Sequence, residues 1–242
     1  MGFAQQQQPA PGFEQGAPAG MAGAAEKIQR GTEGRIHFIR KVYGTMFSAL
    51  AVACVAGVAG FFSMGLVMAL APVLYVASLV GIISLIFLRR NKTLNWAVLY
   101  TWSVVNGLLL GGIMYPSLAA GGDQHIFWMA MGTTIAIFGS LTAYVFATRK
   151  DFSFMGGFLS AFAMGMLAVI LFDLVLGIPI VNTLLYNVIG LVMIIGFILY
   201  DTSNVLLHYE DDEYVAAALE LVVDFFYLLW RLLHIFGAGG DD

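Results

Sequence analysis

VYGTMFSALAVACVAGVAGFFSMGLVMALAPVLYVASLVGIISLIFL, residues 42–88, contains no Asp, Glu, Lys or Arg. A helix rises 1.5 Å per residue and needs about 20 apolar residues to cross a hydrocarbon core of about 30 Å. The stretch therefore holds two crossings, 42–64 and 66–88. The same length of apolar chain recurs at 94–114, 125–147, 155–176, 183–207 and 215–236, for seven in all. Backbone polar groups have no water to bond in lipid, so helices are the expected elements, and the short links make successive helices antiparallel neighbours. The sequence predicts an all-α polytopic membrane protein, a seven-transmembrane-helix bundle.

Composition agrees with this class. The chain is 60% hydrophobic and 11% charged, with a mean hydropathy of +0.86, beyond what a soluble domain of 242 residues tolerates. Its net charge of -4 averages segments on opposite sides of a bilayer and implies no nucleic-acid partner. The single Cys54 excludes an internal disulfide and sits in an apolar run as a small packing residue. Residues 1–34, rich in Gln, Ala, Pro and Gly, have little to bury and are expected to be a disordered tail before a transmembrane domain at 35–242. The tail lacks the short apolar core of a cleavable signal peptide, so the first span is expected to act as an uncleaved signal anchor.

Lys27, Arg30, Arg35, Arg40 and Lys41 precede the first span, Arg89, Arg90 and Lys92 follow the second, and Arg149 and Lys150 follow the fourth. Ten of the eleven cations then share one face, which by the positive-inside rule is cytoplasmic and carries the N-terminus. Arg231, in the last helix, is the exception. With Glu220 and Asp224 it lowers the hydropathy of that helix, which points to a central helix sheathed by the others or one that does not cross fully.

Asp201 and Asp224 lie inside the last two apolar runs. An intramembrane carboxylate costs a few kcal/mol and faces a cavity, a partner or an ion path. Counted from the polar turn 208–214, Asp201 lies roughly 10 Å and Asp224 roughly 15 Å deep, so antiparallel neighbours can bring them together. Two carboxylates in a low dielectric titrate as a coupled pair. Arg89, at the same membrane face, is long enough to reach the shallower Asp201 and close a gate, although a cation flanking a span is also an ordinary topology signal. Glu220, one turn from Asp224, is an accessory ion ligand or a residue snorkelling to the surface, and Asp173 lines an external mouth or ends its helix in solvent. The acidic run Glu210, Asp211, Asp212 and Glu213 lacks EF-hand spacing and reads as a solvated turn. Gly107 and Gly111 form a small-xxx-small pattern suited to close helix packing.

Three stretches, AYVFATRKDFSFMGGF at 143–158, FILYDTSNVL at 197–206 and YVAAALELVVDFFYLLWRLLHIFG at 214–237, together resemble the Bax inhibitor-1 family of seven-helix membrane proteins. The resemblance implies a pH-sensitive calcium leak in a membrane, with Asp201 and Asp224 as proton sensor and Arg89 as cytoplasmic gate. Calcium would be the transported ion, held transiently by the two carboxylates, since two are too few for its six to eight ligands. No cofactor is expected. Ser78 stands where some bacterial relatives carry a glutamate, and Ser203 replaces the glutamine of a YDTQ version. The GAGGDD terminus lacks the lysine-rich tail of eukaryotic relatives, which favours a bacterial inner membrane.

Two other classes compete. A non-conducting regulator would bind another membrane protein, such as a quality-control protease, with the N-terminal tail as its handle. An intramembrane aspartyl protease would use Tyr200-Asp201, but its second motif needs Gly-x-Gly before the aspartate, and Leu221, Val222 and Val223 precede Asp224. A retinal protein is excluded because no lysine follows Lys150.

Overall fold

A computed structural model describes residues 19–88, 92–118, 124–177 and 179–238. The chain divides into two compact units, Met1–His37 and Phe38–Asp242. The helices, in chain order, are α1 (Ala19–Phe62), α2 (Met64–Leu88), α3 (Lys92–Leu118), α4 (Gln124–Thr148), α5 (Gly156–Leu176), α6 (Leu184–Leu207) and α7 (Tyr214–Ala238), with a 3₁₀ turn at Ser153–Met155. No strand occurs among the described residues. The architecture is all-α and polytopic, as the apolar runs require.

One boundary and the number of spans differ from the sequence expectation. Helix α1 begins at Ala19, so residues 19–34 are helical where a tail without structure was expected, and residues 1–18 lie outside the described residues. The segment AGMAGAAEKIQR is rich in strong helix formers, and a helix nucleated in the apolar span propagates through them at little cost. Six helices, α1 to α6, are long and apolar enough to cross a membrane among the described residues. The seventh is not one of them, because Glu220, Asp224 and Arg231 interrupt its hydropathy.

Helix α7 packs against α3, α4 and α6. Val215, Ala216, Ala217, Ala218, Leu219, Leu221 and Val222 are all buried, and Phe226, Leu228 and Leu229 continue the core one turn further on. The outer helices face the other way: Phe62, Val73, Phe158 and Leu185 are exposed, which is stable only against lipid.

The glycines of α1 and α3 let two backbones touch. A Cβ on Gly111 would come within 2.7 Å of Gly57 C, and one on Gly60 within 2.9 Å of Leu108 Cα. Without a hydrophobic force between helices in lipid, such close approach supplies the packing. Gly111→Ala should therefore lower thermal stability in detergent by about 1–3 kcal/mol, the usual cost of overpacking. Gly139→Ala, where an added Cβ meets nothing within 4 Å, should be neutral or slightly stabilising.

Candidate functional site

The stripe of charge on α7 decides the site. Glu220, Asp224 and Arg231 are spaced i, i+4 and i+11, which places them on one face at 3.6 residues per turn. Each meets a polar group of α6 or of the turn that follows it. The side chains of Asp224 and Asp201 share a hydrogen bond. Arg231 Nη1 donates to Asn187 Oδ1 at 3.0 Å, and the Tyr209 hydroxyl donates to Glu220 Oε2. These three contacts form a polar seam along α6 and α7.

The aspartates are 7% and 3% exposed, so both carboxyl groups lie in the low-dielectric centre of the bundle. A hydrogen bond between two carboxyl groups requires a proton on one of them, because an ionised carboxylate only accepts. Asp224 Oδ2 has no hydrogen-bond partner among the described residues. No group of three or more His, Cys, Asp or Glu side chains converges on a common point among those residues.

The remaining expected site residues fall as follows. Arg89 lies outside the described residues. Glu220 is engaged by Tyr209 one turn from the pair. Asp173, half-buried near the end of α5, accepts the Val181 N–H at 2.9 Å on Oδ2, while its carbonyl accepts the N–H of Gly177, whose φ of 66° reverses the chain. It also lines a cavity with Arg231. Glu213 Oε2 accepts the Glu210 N–H at 3.3 Å, so the acidic run closes its own turn.

Sequence reasoning did not assign Arg231 and Asn187 to a site. The signal was present, since Arg231 is the one cation that breaks the charge pattern. Its partner was not visible, because Asn187 is an unremarkable polar residue of an apolar run.

The quoted motif stretches meet in space. Ser203 Oγ accepts the Phe152 N–H at 3.2 Å and donates to the Tyr200 carbonyl at 2.9 Å. A Cβ on Gly156 would come within 2.8 Å of the Tyr200 ring, so only glycine lets α5 approach α6 there. His208 Nε2 lies 2.9 Å from Asp151 Oδ2, with both side chains about half exposed. The turn between α4 and α5 is thus tied to both ends of the segment that carries Asp201. A model of the family described as "Inhibitor of apoptosis-promoting Bax1" matches residues 35–241. The chain belongs to the Bax inhibitor-1 family.

Among family members, the chain is 32% identical over 171 residues to the "Modulator of FtsH protease YccA" of Escherichia coli K12, covering 69% of this chain and 76% of that protein. It is 32% identical over 210 residues to the "Golgi anti-apoptotic protein" of Vaccinia virus strain Lister, covering 83% and 85% respectively. It is 30% identical over 213 residues to "Bax inhibitor 1" of Schizosaccharomyces pombe, covering 84% and 77%. Relatives of both bacterial and eukaryotic origin therefore share the greater part of the fold.

The Asp151 turn carries a titration signature. The Ser153 backbone N–H at 2.8 Å, then the Ser153 hydroxyl and His208, hold the Asp151 carboxyl down from its ordinary 3.8 to about 2. A depressed carboxyl adds stability that is complete above its unfolded value and is lost as pH falls through its folded value. Wild-type protein in detergent should lose melting temperature between about pH 4 and pH 2 more steeply than Asp151→Asn. Parallel acid-melting curves for the two would rule out this contribution.

Proposed function

We propose that this family member is a pH-sensitive cation leak of the membrane, with calcium as the transported ion and Asp201 and Asp224 as its proton-sharing gate. The single observation that supports it is the hydrogen-bonded carboxyl pair at the centre of the bundle. Intramembrane carboxylates are costly and are retained on ion and proton paths. In the closed state the pair draws α6 against α7. A change in its proton count alters both the hydrogen bond and the local charge, and so biases two arrangements of the helices. Arg89 is proposed to compensate the ionised pair from the cytoplasmic end, where the N-terminus is also placed by the positive-inside rule.

Calcium passes by exchanging its ligands quickly. Two carboxylates with few other oxygens suit a path that must release its ion, since conduction requires binding weak enough to leave. Glu220, on α7, and Asp173, on the neighbouring α5, are proposed as accessory carboxylates nearer the two ends. No reaction step is proposed.

The test is calcium influx into liposomes holding a calcium-sensitive dye, recorded across near-neutral pH. Wild-type flux should vary with pH, by at most about tenfold per unit for a single-proton switch. Asp201→Asn should hold one flux level throughout. Identical pH dependence in the two proteins would refute the gate.

A second reading is favoured by the similarity to YccA, described as a modulator of FtsH protease. Under it, the chain binds a membrane protease and adjusts its activity without conducting, with residues 1–34 as the handle. Deleting those residues should then abolish the effect on proteolysis in cells, and reconstituted protein should pass no calcium at any pH. Flux that survives the deletion while proteolysis is untouched would leave the leak as the function.

A further inference from the structure

At the opposite end of α7 from the turn 208–213, a cavity of about 480 Å³ opens between α2, α3, α5, α6 and α7. Its size is that of a small-molecule pocket. Two charged side chains of opposite sign line it, Arg231 from α7 and Asp173 from α5. Among the described residues neither makes an ion pair. Both are half-buried, in a wall that is otherwise mostly aromatic and amide.

The sequence builds Arg231 into a fixed pose. A Cβ on Gly190 would collide with the guanidinium, so glycine makes the room for it on α6. The guanidinium carbon lies 4.7 Å from the centre of the Tyr186 ring, and Nη1 donates to Asn187 Oδ1 at 3.0 Å. The Asn187 amide is oriented in turn, because Nδ2 donates to the carbonyls of Val181 at 3.2 Å and Thr183 at 3.0 Å. One of five guanidinium N–H donors is thereby assigned to a protein acceptor. Asp173 is fixed just as firmly, with Oδ2 on the Val181 N–H. On the far wall, Ser78 and Asn106 satisfy each other at 3.1 and 3.2 Å and hold α2 to α3.

Two fixed charges of opposite sign that line one cavity without meeting each keep capacity for a ligand there. A lone anion would answer Arg231 and leave Asp173 worse off; a lone cation would do the reverse. We propose that the cavity binds a zwitterion joining an anionic oxygen group to a primary ammonium, with Arg231 taking the anionic end and Asp173 the ammonium. Arginine suits the first role through its forked donors, and the aromatic residues Tyr75, Trp102 and Tyr227 line the same cavity. Two sources supply this chemistry, the phosphoethanolamine headgroup of a bilayer lipid and a free amino acid. The site is separate from the Asp201–Asp224 pair and stands whether or not the protein conducts.

Native mass spectrometry of the full chain released from nanodiscs of mixed phosphatidylethanolamine and phosphatidylglycerol tests the lipid source. Melting in detergent with glycine or free phosphoethanolamine tests the soluble one. Wild type should retain phosphatidylethanolamine over phosphatidylglycerol by about tenfold, as a charge-assisted hydrogen bond to the ammonium implies, or be stabilised by the soluble zwitterion. Asp173→Asn keeps an oxygen for the Val181 N–H but removes the charge, and should abolish that preference. Arg231→Gln should lower retention of both lipids; if it does not fold, Asp173→Asn decides. The proposal is overturned if folded wild type shows neither lipid preference nor stabilisation, or if Asp173→Asn preserves the wild-type selectivity.

Discussion

Helix α7 must place three ionisable groups inside a bundle whose outer faces are apolar, and the polar seam with α6 is how it does so. Glu220, Asp224 and Arg231 would each cost several kcal/mol against lipid tails. Their single-face spacing lets one neighbour answer all three, through Tyr209, Asp201 and Asn187. Helices α3, α4 and α6 then cover the remaining circumference, which is why a helix carrying three ionisable groups is buried along most of its length.

That arrangement explains why the family motifs lie where they do. The turn after α4 contributes Asp151, Phe152 and Gly156, whose contacts to His208, Ser203 and Tyr200 grip α6 on either side of Asp201. They fix the rotation and height of α6, and so the position of one carboxyl relative to the other. Ser203 accepts from the turn at Phe152 and donates to Tyr200 of its own helix.

The two ends of the α6–α7 seam have different chemistry. Near its middle, two like groups share a hydrogen bond. Towards the Arg231 end, opposite charges line a cavity without pairing.

The amino-acid sequence alone determined the helical class, the apolar spans and the ambiguity of α7. Each follows from local sums, of hydropathy over about 20 residues or of rise along a helix. The close-packing role of Gly107 and Gly111 was legible for the same reason, since a four-residue spacing defines a helix face. The start of α1 was misjudged because propagation from a stable span overrides weak composition. Only the tertiary structure decided that Asp201 meets Asp224, that Glu220 is engaged by Tyr209, that Asp173 caps the α5–α6 link and that Arg231 has Asn187 for a partner. Those outcomes depend on how each helix is rotated about its axis and which neighbour it faces. Contacts far apart in the chain set that rotation, and no local window of sequence contains it.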